Sequence, residues 1–162
     1  MFVNPVLLPI GGNAKTLNNG GAAEQIFDLY TVGGTILLAS ISCRVTTVLA
    51  NNLTAAFFDF WDGTTSIPLT LNTGVISSMP VGSWFGKVSI AANPMLVNNA
   101  GAGCVAEHAT DMSATKQQII TAKNGVVSKI RFRYTSAGAS SGVLIPHAIW
   151  APLHDGAVIT PA

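Results

Sequence analysis

The stretch FDLYTVGGTILLASISCRVTTVL, Phe27 to Leu49, constrains this chain more than any other. Two runs rich in β-branched and aliphatic residues meet at Gly33-Gly34. Such residues suit the pleated, half-buried surface of a strand. The first run is Phe27 to Val32 and the second is Thr35 to about Leu49. A strand as long as the second is expected at the centre of a sheet. Within it, Val45, Thr47 and Leu49 alternate with Arg44, Thr46 and Val48. A period of two sends the two sets to opposite faces.

The segments that follow repeat this grammar. Asn51-Asn52 closes the long run as a turn, and Leu53 to Trp61 carries Phe57, Phe58, Phe60 and Trp61. Asp62-Gly63 is a strong hairpin signal, and Thr65 to Leu71 returns as a strand with Pro68 marking an edge or bulge. Trp84 to Ala91 is a further strand, with Phe85, Val88 and Ile90 apolar and Lys87 and Ser89 polar. A small-residue loop, Asn98 to Gly103, precedes a short strand from Cys104 to His108. Gln117 to Ala122 is a strand, and Asn124-Gly125 turns into Val126 to Thr135. There Lys129, Arg131 and Arg133 face one way and Ile130, Phe132 and Tyr134 the other. Val143 to Leu153 is the last strand, placed at an edge by Pro146 and Pro152. This gives roughly eight to ten strands and no 3.6-residue apolar period. The expected fold is an all-β antiparallel sandwich of the jelly-roll kind, with an immunoglobulin-like sandwich second.

With 162 residues, one domain is expected. Residues 1–24 form an extended N-terminal arm, 25–153 the β-sandwich, and 154–162 a C-terminal tail that is loose or partner-bound. The arm carries the apolar residues Phe2, Val3, Val6, Leu7, Leu8 and Ile10, with prolines at positions 5 and 9. It would pack on its own sheet as an edge strand or reach a neighbouring subunit. Charged residues are 9% of the chain and the net charge is +1, against about 25% charged in an ordinary soluble domain. Little charge separates one copy from another, so much of the surface is expected to be covered by partners. No apolar run reaches the ~20 residues of a spanning helix, and the start lacks the cationic region of a signal peptide. Synthesis in the cytoplasm is expected.

Candidate chemistry is sparse. Glu107, His108 and Asp111 would supply part of a metal site, but zinc asks for four ligands in a tetrahedron, and loop polarity is the simpler reading. His147, His154 and Asp155 show no nucleophile motif beside them. Asp59 and Asp62 flank Trp61, as in sugar-binding loops, and read otherwise as turn residues. Cys43 reads as a small buried hydrophobe; a bridge to Cys104 is the alternative. No catalytic residue, metal or cofactor is expected. Lys129, Arg131 and Arg133 form the one basic cluster, suited to a solvated face, an acidic partner or a subunit contact. Nucleic acid is not expected, because the chain is not basic.

The run through Leu29, Thr31, Val32, Gly33, Gly34, Ile36, Leu37, Val45, Thr46 and Thr47, followed by WDGT and ITAKNGVVSKIRFRYT, resembles small virion proteins of tailed bacteriophages. The resemblance covers the second and third strands well, the C-terminal strands loosely and the arm not at all. It implies a capsid decoration (cement) protein: a jelly roll that forms a homotrimer on the outside of the head and stabilises the shell. Its partners would be the major capsid protein and itself, and its place the virion. Lys129, Arg131, Arg133 and the apolar arm would make the contacts. The alternatives are a tail or fibre module binding host carbohydrate through Trp61 or Trp84, and a hydrolase whose site is assembled from distant loops.

Overall fold

The computed structural model describes residues 6–18, 23–51, 53–73, 75–76, 78–87, 96–98 (backbone only), 118–136 and 138–162. Phe2, Val3, Cys104, Glu107, His108 and Asp111 lie outside the described residues. The strands are β1 (Leu8–Gly11), β2 (Lys15–Leu17), β3 (Gln25–Gly33), β4 (Thr35–Ala50), β5 (Leu53–Trp61), β6 (Ser66–Pro68), β7 (Trp84–Lys87), β8 (Leu96–Asn98), β9 (Gln118–Thr121), β10 (Ser128–Ser136), β11 (Ser141–Pro152) and β12 (Val158–Pro161). They form two antiparallel sheets. A seven-stranded sheet runs β1-β11-β4-β7-β8, with β2 also on β11 and β9 also on β4. A five-stranded sheet runs β12-β3-β10-β5-β6.

The Phe27–Leu49 stretch becomes β3 and β4, one in each sheet, joined at Gly34. Its φ of +71° is a left-handed value that glycine adopts without penalty. β4, at 16 residues, is central as its length demands. One edge pairs with β11 from Ile36 to Ala50. The other pairs first with β9 and then with β7. Ile36, Leu38, Ile41, Cys43 and Val45 point inward and are buried. Phe85 of the larger sheet meets Phe58 and Phe132 of the smaller at ring distances of 6.4 and 5.2 Å, which locks the two sheets face to face.

Two expectations are corrected. β11 is interior and not an edge, since it pairs with β4 on one side and with β1 and β2 on the other. Pro146 is tolerated there because of where its missing N–H points. Its carbonyl accepts from Gly12 N–H at 2.8 Å, in the gap between β1 and β2. In an antiparallel ladder the N and O of one residue share a side, so the absent donor faces that same gap. Gly12 is needed for the approach: a Cβ there would lie 2.5 Å from Pro146 Cγ. Of the two readings of the arm 1–24, its described residues show packing on its own sheet, through β1 and β2. The second correction is that the tail 154–162 contains β12, paired with β3 from Gly33 back to Tyr30.

Candidate interaction surfaces

The outer face of the five-stranded sheet carries the basic cluster. On β10, Lys129, Arg131 and Arg133 stand opposite Trp61, Asp59 and Phe57 of β5. Period two puts Phe57, Asp59 and Trp61 on this face and sends Phe58 and Phe60 into the core. Arg131 grips Asp59 with two hydrogen bonds, from Nε at 3.0 Å and from Nη2 at 2.5 Å. Its guanidinium lies 4.5 Å from the Trp61 ring centre. Arg133 donates to Glu24 at 2.7 Å, reaches Asp59 at 3.4 Å, and lies 5.2 Å from the Phe57 ring centre. The Glu24 bonds raise the pKa of Arg133 above its ordinary value. Lys129 pairs with Asp28 of β3, and Ser66 of β6 donates to Asp59.

The expected partner-facing cations are therefore neutralised within the chain. Asp59 has no exposed surface and Arg131 is 8% exposed, which corrects the reading of Asp59 as a turn residue. A bidentate arginine–carboxylate pair with its remaining lone pairs bonded is the arrangement that tolerates such burial. Asp62 is a turn residue. Its Oδ1 accepts from the N–H groups of Thr64 and Thr65, and these bonds hold its carboxyl below the usual carboxylate range.

The outer face of the seven-stranded sheet is of a different kind. The register puts Leu37, Ser40, Ser42 and Arg44 of β4 outward, opposite Ala151, Ile149, His147 and Ile145 of β11. On the far edge, Leu37 pairs with Ile119 and Arg44 with Trp84. Ile119 is 68% exposed. Among the described residues of these paired positions, Arg44 is the one formal charge.

Other candidates have structural duties. Cys43 is fully buried, and burial drives its thiol pKa far above the ordinary range, so no thiolate is offered. His154 accepts the Thr35 N–H at Nε2 (2.8 Å), while Nδ1 lies 2.7 Å from the Asp155 carbonyl. His147 is exposed beside Ser42. Trp61 and Trp84 are half-buried, and Arg131 occupies one face of Trp61. Lys87 was expected on the polar side of its strand. It pairs with inward-facing Ile41, is buried, and has its pKa lowered by desolvation. Among the described residues, no three His, Cys, Asp or Glu side chains come together as a metal site.

The remaining feature is a cavity of about 420 Å³ between β6 and β9. Phe60, Ile67 and Leu69 line it from the smaller sheet, and Gln118 and Ile120 from the larger. Sequence reasoning missed it, because its walls are separated by about fifty residues of chain and meet only in the folded sandwich. No family model and no curated protein sequence matches this chain.

Proposed function

We propose that this protein is a structural protein of a tailed-bacteriophage particle, bound to the outside of the head as a decoration protein that stabilises the shell. The resemblance of the Phe27–Leu49 region raised this reading. The observation that carries it is the contrast between the two outer faces. One face neutralises its charges internally with Asp59, Asp28 and Glu24. The other offers Leu37, Ile119, Ile145, Ile149 and Trp84 around a single arginine. A broad apolar sheet face of this kind is suited to being covered, and we assign it to the shell.

The strand order supports the jelly-roll form. Taking β1 with β2 as the first strand and β7 with β9 as the sixth, and setting aside β8 beyond β7 and β12 beyond β3 as additions at the sheet margins, the sheets read 1-8-3-6 and 2-7-4-5. That is one long hairpin zipped first-to-last and then rolled up, the winding of eight-stranded jelly rolls. Stabilisation then needs no chemistry: a protein that binds only the assembled shell favours it by mass action, and several copies joined together gain avidity. Quantitative mass spectrometry of purified particles tests the reading. It expects a copy number in simple ratio to the major shell protein. A few copies per particle would move the protein to the tail or fibre, and absence would remove it from the virion.

A further inference from the structure

The cavity between β6 and β9 is bounded by two strand edges that pair with no described residue: β6 ends the smaller sheet, and β9 pairs on one side only, with β4. Among the described residues its lining is apolar apart from Gln118 and Thr121, and carries no charged side chain. Gln118 Oε1 is buried and accepts no hydrogen bond, and its amide nitrogen makes a long 3.5 Å contact to the Leu69 carbonyl. Two strand edges that are unpaired among the described residues, side by side at an apolar cavity, are what an extended peptide would complete. Backbone groups of the peptide would pair with an edge, and its apolar side chains would fill the space.

The same chain presents such a peptide on its opposite side. β1 lies beyond β11, across the sheet from β9. The residues leading into β1 are exposed, Val6 at 71%, with Leu7 and Leu8 beside it. The segment MFVNPVLL bears no charged side chain, in keeping with a groove that bears none. Seven extended residues reach up to ~25 Å, against roughly 13 Å for a four-residue strand such as β9. Donor and acceptor stand on opposite sides of one molecule, so such a contact repeats head to tail and closes into a ring where the rotation permits.

We infer that residues 1–7 of one copy dock as an extended strand in the β6–β9 groove of the next. This deepens the self-association included in the decoration reading and rests on it for its biological setting, but its test is made on the purified chain alone. Two variants are compared with the full chain by sedimentation equilibrium. One is Val6→Asp with Leu7→Asp, which keeps every residue but spoils the donor. The other is Ile67→Asp, which puts a charge into the acceptor. Near-ultraviolet circular dichroism checks that both are folded; deletion of residues 1–7 replaces the first, and Gln118→Arg the second, if either is not. The wild type is expected to be a closed multimer and each variant a monomer. An equimolar mixture is expected to form a dimer and nothing larger, because one intact arm meets one intact groove. A monomeric wild type, a variant that keeps the wild-type mass, or a mixture that stays monomeric would overturn the inference. Multimers that form as described while the protein is absent from particles would sink the decoration reading and leave this one standing.

Discussion

The two lateral sides of the sandwich are finished in opposite ways. On one, the sheets are tied together: Asn13 and Lys15, at β2, donate to the Ala162 carbonyl oxygen beyond β12, at 3.0 and 2.8 Å. The Tyr30 hydroxyl, from β3, donates to the Ile10 carbonyl of β1 at 3.3 Å. On the other side β6 and β9 stay apart around the cavity. Yet the hairpin bounding that cavity is firmly held, by Ser66 and Arg131 on Asp59 and by Thr64 and Thr65 on Asp62. The difference teaches that the open side is not a frayed edge. The β5–β6 hairpin is anchored through its outer face, while the facing edges of β6 and β9 pair with no described residue.

If that anchoring matters, the largest effect comes from removing it. Asp59→Ala strands Arg131 in a site that is 8% exposed, and breaking one partner of a buried pair costs about 3–5 kcal/mol. Urea unfolding should show that loss. A loss below about 1 kcal/mol, the value of an exposed pair, would mean that the open side is not held from outside. On the closed side, Gly12→Ala drives a methyl to 2.5 Å from Pro146 Cγ and 3.3 Å from the Tyr30 ring. Overpacking of this sort costs about 1–3 kcal/mol, again read by urea unfolding. Tyr30→Phe removes only the link to Ile10 and should cost about 1 kcal/mol. Hydrogen exchange should rise in β1 and not in β6 or β9.

The smallest effect is the pH response of the open-side turn. The Asp62 carboxyl has a lowered pKa in the folded chain. Its contribution is therefore fully present above the unfolded carboxylate value near ~3.9. It is lost as pH falls through the lower folded value. Asp62→Asn should lower stability slightly near pH 7, leave it unchanged at the acid end where Asp62 is already protonated, and so flatten the acid limb of the stability profile below about pH 4. An unaltered acid limb would show that the turn does not depend on the carboxylate.

The sequence made the strands readable where side-chain alternation or turn chemistry is local. β4 announced its place by length, and Asp62-Gly63 announced the β5–β6 hairpin. What stayed hidden depends on partners distant in the chain. Pro146 reads as an edge marker until the gap between β1 and β2 is seen beside it. Asp59 reads as a turn acid until β10 is laid against β5, although its place between Phe57 and Trp61 on a period of two already assigned it a face. Arg131 and Arg133 read as cations awaiting an acidic partner until Asp59 and Glu24 of the same chain are seen to pair with them. The outward apolar set of the larger sheet was equally out of reach, since it needs the registers of β4 with β11 and β9.

The most direct test of the open side as a receptor places a photoreactive benzophenone side chain at position 67 of the full chain. The purified protein is irradiated and the linked peptides are identified by mass spectrometry. The account predicts covalent multimers in which position 67 is joined to a peptide from residues 1–8 of another copy. Links confined to the same chain, or joined to any other segment of a neighbour, would contradict it.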